Sequence, residues 1–332
     1  MPSQGTTVAI IGAGLSGTTL ARRLSDAGLG CTLLEKSRGA GGRMATRRSE
    51  GTLRFDHGAQ YFTVRDPRFR AAAERWGQTG LIAKWEGTIV EFAPEGLIDK
   101  TNNERWVAVP GMNALCKHLA ADVPLQTGVQ VAEFKLQKEG WELRSQEGAS
   151  IGVADWVVST APPEQTATLM PESQPILEAT SRVEMLPCWA AMIAPGNPLS
   201  AVKPDGAFIN EGPLRWVARN SSKPGRDANC ETWVLHASPE WSTAHWDDSP
   251  ESIADALWHS WCELLGMPCS EPLFSSAHRW RYALTESVYP EPYVFDPQQR
   301  LAACGDWCGG PRVEGAFLSG LALAERIIDE VK

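Results

Sequence analysis

The sequence is short of positive charge. Its 31 lysines and arginines face 40 aspartates and glutamates, a formal net charge of −9 over 332 residues. A protein that reads nucleic acid carries a basic field to meet phosphates, so that class is not expected, though the balance still allows a local basic pocket. Long apolar runs are missing as well, and with them any expected membrane span. Residues 1–7 lack a basic n-region, and the apolar stretch after them is broken by Gly12, Gly14 and Gly17. The expectation is therefore no signal peptide and a cytoplasmic location. Eight cysteines are too few for a disulfide framework at this length and read as small buried hydrophobes. Cys304 and Cys308 have no second Cys/His pair near them in sequence, so no metal is expected. Internal repeats and low-complexity tracts are absent too.

What is present is ordinary globular material with one excess. An apolar fraction of 43% and a charged fraction of 21% rule out wholesale disorder, and the length suits two lobes. The excess is tryptophan, with 14 residues, many in the second half. A buried indole needs a partner for its N–H, so the abundance points to an aromatic-lined cavity there, with core filling the better account of most of them.

Residues 7–11 form a β-branched, apolar run that reads as a buried parallel strand. Gly12-Ala13-Gly14-Leu15-Ser16-Gly17 follows at once, and residues 18–27 carry helical spacing closed by Gly28. Residues 31–34 are a second strand that ends at Glu35. A lone G-x-G-x-x-G is weak; one that follows a strand, opens a helix and has an acidic residue after the next strand is a dinucleotide site. Gly12 makes the tight turn, Gly14 admits a pyrophosphate, Gly17 lets helix and strand pack, and Glu35 accepts ribose hydroxyls. The motif suits NAD or FAD.

Further along, residues 67–76 and 110–121 read as helices, the second with proline at its start. Strand-like segments at 128–136 and 140–145 read as a meander leading into a last parallel strand at 156–160. Strands are expected at 188–193, 214–219, 231–236 and 277–283, with residues 221–226 as a solvated hairpin turn. An amphipathic helix is expected at 251–265, a strand at 301–305 and a final helix at 315–331. The fold class is α/β: a Rossmann-like domain of segments 1–50, 108–165 and 292–332, and an antiparallel-sheet substrate domain of segments 51–107 and 166–291.

The run Glu35-Lys36-Ser37-Arg38-Gly39-Ala40-Gly41-Gly42-Arg43 resembles the extended signature of glutathione-reductase-like flavoproteins of the amine oxidase type. Gly305-Asp306 and Glu314-Gly315-Ala316 continue the likeness in the same order. The resemblance implies FAD, with Gly42 and Arg43 along the pyrophosphate and ribityl chain and Asp306 holding the ribityl group. It also implies that the helix near Gly315 points its N-terminus at the flavin edge where negative charge builds up on reduction. Ala13, Leu15, Ser16, Lys36, Gln60, Val129, Glu314 and Ala316 join the implied cofactor contacts. No counterpart of a covalent-flavin cysteine is evident, so the FAD is expected to be non-covalent.

Asp56-His57-Gly58-Ala59-Gln60-Tyr61-Phe62-Thr63, the Pro110-Gly111-Met112 segment, His278-Arg279-Trp280-Arg281-Tyr282, and the run from Leu214 to Arg226 resemble the bacterial branch of the renalase family, over essentially the whole chain. That likeness implies oxidation of the 2- and 6-dihydro isomers of NAD(P) to NAD(P)+, with dioxygen reduced to hydrogen peroxide. Such a reaction needs a flat, dry slot and no general base. Candidate slot residues are Gln60, Tyr61, Trp216, His236, Trp280 and Tyr282; period two puts His278, Trp280 and Tyr282 on one face. A phosphorylated substrate needs cations, and Arg65, Arg219, Lys223 and Arg226 are candidates, with a solvated hairpin tip the expected account of the last two. An amine oxidase, a membrane-docked desaturase or porphyrinogen oxidase, and a flavin-binding scaffold without turnover are the competing readings.

Overall fold

The computed structural model describes residues 6–49, 53–199 and 204–332. Residues 1–5 and the 50/51 boundary expected from sequence lie outside the described residues. Among the described residues, three β-sheets of three or more strands organise the chain, beside two two-stranded ones.

The first sheet has the order Val294–Asp296, Leu301–Ala303, Trp156–Ser159, Thr7–Ile11, Gly30–Glu35, Leu125–Thr127, parallel except for its Val294–Asp296 edge. Both faces are covered, which is why its strands are near-continuous apolar runs. Val8 and Ile10 pack with Leu20, Leu24, Leu323 and Ile327 of the helices Leu15–Asp26 and Arg312–Val331. Ala9 and Ile11 pack with Val131, Trp141 and Leu143 of a three-stranded antiparallel sheet on the other side.

That small sheet corrects the sequence reading. Its strands are Val131–Gln137, Gly140–Ser145 and Ser150–Ala154, so a third strand at 150–154 was missed. The strand expected from 128 begins only at Val131, because Gly128, with φ of +71°, makes a turn, and the short strand Leu125–Thr127 before that turn was missed. The helix expected at 110–121 is shortened to Asn113–Leu119. Its intended first turn is instead docked on a distant side chain: Met112 N–H donates to Asp56 Oδ1 at 3.0 Å. The first and last helices begin three residues earlier than read, at Leu15 and Arg312.

The seven-stranded sheet has the order Pro272–Ser287, Glu184–Pro195, Trp233–Ala237, Leu214–Arg219, Gly206–Ile209, Ile89–Ala93, Gly96–Asp99. It is antiparallel except where Gly206–Ile209 meets Ile89–Ala93. One face carries Val217, Trp233 and Leu235 onto Trp258 and Trp261 of the helix Pro250–Leu264, a tryptophan-rich core. Alternate residues Trp216, His236, His278 and Trp280 face a cleft instead. Among the described residues no helix is long and apolar enough to cross a membrane.

Candidate active site

A cleft of about 2900 Å3 runs from the glycine turn to the seven-stranded sheet. At its glycine end, strand Thr7–Ile11 enters Gly12 with φ +107°, where a Cβ would sit 2.5 Å from Thr160 Oγ1. A Cβ on Gly17 would fall on the Gly12 carbonyl oxygen and 2.9 Å from Thr160 Oγ1. The turn is therefore locked to the neighbouring strand by absent side chains. Gly14 caps the helix Leu15–Asp26 without any side-chain hydrogen bond, so its first-turn N–H groups are left to a ligand. Gly12, Gly14, Leu15 and Ser16 line the cleft; Ala13 and Gly17 stand behind it and build it.

Glu35 is 6% exposed and lines the same end. Its Oε2 accepts Ala13 N–H and its Oε1 accepts Ser37 N–H, both at 2.8 Å, which leaves lone pairs on each oxygen for ribose hydroxyls. Val129 N–H donates to the Glu35 carbonyl at 3.0 Å, which places Val129 at the rim, with the exposed Lys36 alongside. Glu35→Ala is expected to weaken FAD binding by roughly tenfold to 100-fold, the worth of a hydrogen bond to a charged acceptor. Titrating apoprotein with FAD by fluorescence quenching checks it, and an unchanged dissociation constant takes Glu35 out of the cofactor site.

Further along, the Gly42–Met44 turn abuts the glycine loop: a Cβ on Gly42 would lie 3.1 Å from Gly14 Cα. Arg43 and Asp306, read separately from sequence, form a bidentate ion pair with each other, Nη1–Oδ2 2.8 Å and Nη2–Oδ1 2.7 Å. Both line the cleft. The helix Arg312–Val331 also lacks a side-chain cap, and its first turn, including Gly315 and Ala316, lines the cleft. Glu314 does not point to a cofactor alone, since its carboxylate accepts Arg65 N–H at 2.6 Å and Asp66 N–H at 3.1 Å. Two uncapped helix N-termini, a backbone-only approach at Gly14 and Gly42, and an acceptor at Glu35 share one elongated cleft, and this fits FAD.

The opposite wall is aromatic. His278, Trp280 and Tyr282 line the cleft from alternate positions of strand Pro272–Ser287. Trp280 packs on His57 with ring centroids 5.0 Å apart and on His278 at 4.4 Å. The His57 carbonyl accepts Trp280 Nε1–H at 3.0 Å and lies 3.1 Å from His236 Nε2, which ties the 56–62 segment to the sheet. Burial holds the imidazoles neutral: His57 is pushed down to about 3, with help from His278 and Arg47, and His236 to about 4. His278 is lowered by burial and by Arg47. Tyr61 meets Trp216 at 5.4 Å, and Trp216 meets Phe208 at 4.6 Å.

Three of the four cations read as phosphate contacts are spoken for. Arg219 pairs with Asp205. The segment 221–226 is no solvated tip: the side chains of Lys223 and Arg226 are 0% and 3% exposed, folded onto fully buried Asp56. Arg226 Nε donates to Asp56 Oδ2 at 3.2 Å, and Lys223 Nζ lies 3.6 Å from the same oxygen. Lys223 Nζ also donates to Gln60 Oε1 at 2.9 Å and Asn220 Oδ1 at 3.2 Å, and so fixes Gln60 at the cleft floor. Arg65 is exposed at the rim, as are Arg47 and Arg48. The sequence reading missed Arg105, 3% exposed and lining the cleft, because flanking Glu104 and Trp106 make it look like part of a surface turn. Among the described residues no His, Cys, Asp or Glu group is placed to hold a metal, and burial lifts the Cys304 thiol to about 12.

A dinucleotide cradle that opens onto an aromatic wall defines an FAD-dependent oxidoreductase. Residues 10–76 match an NAD(P)-binding Rossmann-like domain, and residues 92–328 match the flavin containing amine oxidoreductase family. The chain belongs to that family. A candidate protoporphyrinogen oxidase from Exiguobacterium sp. 255-15 shares the fold, with 12% identity, 99% of this chain and 100% of that chain covered, and a TM-score of 0.80. Cyclohexylamine oxidase from Brevibacterium oxydans is similar at 13% identity, 98% and 99% coverage and a TM-score of 0.76. Putrescine oxidase bound to putrescine is similar at 15% identity, 98% and 99% coverage and a TM-score of 0.74.

Proposed function

We propose that this protein is a cytoplasmic, renalase-like oxidase that converts the 2- and 6-dihydro isomers of NAD(P) to NAD(P)+. The observation that carries the reading is the aromatic wall of Trp280, His278 and Tyr282, whose neighbouring imidazoles are held neutral. The chemistry supplied by bound FAD is two-electron acceptance, with dioxygen as the terminal acceptor and hydrogen peroxide as its product. Oxidation turns the donor into an aromatic nicotinamide cation, so no side chain has to take a proton from it. The residues instead orient and desolvate: Trp280, Tyr282 and Trp216 form the slot, while Gln60, pinned by Lys223, and Tyr61 line its floor. His236 acts by holding the His57 carbonyl in place and not as a base. In this reading segments 1–50, 108–165 and 292–332 carry the cofactor, and segments 51–107 and 166–291 cap it.

Trp280→Ala is expected to slow flavin reduction about tenfold or more while the FAD stays bound, since it removes the slot wall and the Trp280 N–H bond to the His57 carbonyl. Stopped-flow reduction alongside flavin content measures both; unchanged kinetics remove Trp280 from the site. The second reading, a small-amine oxidase, is favoured by the family match and by the same aromatic cage. Anaerobic bleaching of the flavin band separates them. Bleaching by 2- or 6-dihydro-NAD(P) and not by 4-dihydro-NAD(P)H or primary amines supports the first reading; bleaching by an amine alone overturns it.

A further inference from the structure

We propose that Arg105 and the Trp216 indole form an anion subsite beside the aromatic slot, built for a phosphate of the substrate. This deepens the reading above and rests on it for the identity of the substrate, though not for the existence of the site. Burying a guanidinium without a counter-charge is costly, so such a group is retained where something compensates it. Arg43, Arg219 and Arg226 each face a carboxylate. Arg105 forms no ion pair among the described residues. Of the glutamates lining this part of the cleft, Glu91 is already taken by Lys100 Nζ at 2.6 Å and Asn210 Nδ2 at 2.7 Å, and Glu104 by Lys84.

The compensation that exists is partial. Arg105 Nη1 donates to the carbonyls of Lys100 and Asn103, each at 2.9 Å. Its charge lies over the Tyr61 ring at 5.2 Å and the Phe208 ring at 6.0 Å, a favourable cation–π setting. Among the described residues Nε has no acceptor, and neither does the Nε1–H of Trp216, which packs against both of those rings. Among the described residues His57 Nδ1 is a third buried orphan on a cleft-lining residue, beside Trp280. Arg105, Tyr61, Phe208 and Trp216 all line the cleft, and their shared ring contacts put a cation and an indole at one aromatic corner. A phosphate carries enough acceptor oxygens for both, and arginine meets it with a fork of N–H groups. An ammonium substrate would be repelled at the same corner.

The test uses flavin-loaded protein and two donors of one dihydropyridine chemistry: 6-dihydro-NAD, and N-methyl-1,6-dihydronicotinamide, which lacks every phosphate. Arg105→Gln should raise the half-saturating concentration of 6-dihydro-NAD by about 10- to 100-fold, as for a lost charged hydrogen bond. Its limiting reduction rate should hold within about twofold, the mark of a pure binding contact. Both parameters for the methyl donor should stay as in wild type. Trp216→Phe should shift half-saturation in the same direction by less, and Arg105→Lys should fall between. Equal losses on the two donors, or no loss on either, overturn the proposal. Where Arg105→Gln fails to retain flavin, Arg105→Lys decides by the same criterion. A second arm does not depend on the donor: inorganic pyrophosphate should perturb the flavin spectrum of wild type and not of the Arg105 variants. If no dihydronicotinamide reduces the flavin while pyrophosphate still perturbs it, the substrate reading falls and the subsite stands. Perturbation by acetate in place of pyrophosphate makes it a carboxylate site and overturns the phosphate assignment.

Discussion

Asp56→Ala should lower the unfolding free energy by about 3–5 kcal/mol, the usual loss when a buried ion pair is stripped of one partner. Asp56 is fully buried and serves two cations, Arg226 and Lys223, while also accepting Thr46 Oγ1–H at 2.7 Å and Met112 N–H. Burial alone would raise its carboxyl, but Lys223, Arg226 and these hydrogen bonds outweigh that and hold it below the ordinary range. One negative charge cannot neutralise two positive ones, and the lysine yields: burial, with repulsion from Arg226, brings Lys223 from 10.5 to about 7 despite Asp56. Lys223→Met should therefore cost less than Asp56→Ala, because it leaves the Asp56–Arg226 pair intact. The pH dependence follows from linkage. Between about 7 and 10.5 the unfolded chain holds the Lys223 proton and the folded chain does not, so this group makes stability rise with pH across that window. Its slope is at most about 1.4 kcal/mol per pH unit and vanishes in Lys223→Met. Asp56 acts at the other end, its contribution lost only as pH falls through its lowered value. Denaturant midpoints at a series of pH values, with FAD in excess, measure all of this. A shift under about 1 kcal/mol in Asp56→Ala would mean that water, not the two cations, compensates the carboxylate.

Gly17→Ala should yield protein that purifies almost free of flavin. The added methyl would fall on the Gly12 carbonyl oxygen, and neither that backbone nor Thr160 can retreat, since Thr160 N–H and Oγ1–H both donate to the Ile11 carbonyl. The helix Leu15–Asp26 must therefore lift off the strand, and its N–H groups leave the phosphate position. Gly28→Ala is the matched comparison. Its φ is +80° but a Cβ there meets nothing within 4 Å, so it should cost about 1 kcal/mol of stability and leave flavin content unchanged. Absorbance ratios of flavin to protein after purification read both. Full flavin in Gly17→Ala would show that close helix–strand packing is not what holds the dinucleotide.

The cofactor half was legible in the sequence because its information is local. The Gly12–Gly17 turn, the strand before it and Glu35 after it lie within one βαβ unit, and Gly12 and Gly17 answer to contacts inside that unit or just past its neighbouring strand. Period two likewise suffices to put His278, Trp280 and Tyr282 on one wall, because alternation along a strand is a local property of the backbone. Strand pairing was less legible. Gly128 separates two strands that belong to different sheets, and the hydrophobic pattern continues across the break.

What the tertiary structure alone decided is which charges are free. Lys223 and Arg226 sit in a Ser-, Pro- and Gly-rich run with every mark of an exposed turn, yet their counter-ion, Asp56, is 170 residues from Arg226 along the chain. Arg105 sits between a glutamate and a tryptophan in an ordinary loop and ends up buried with no carboxylate paired to it among the described residues. Backbone conformation and side-chain periodicity are set by neighbours in sequence, so a sequence displays them. Charge compensation depends on distance through space and on exclusion of water, and both come into being only when the sheets close on one another.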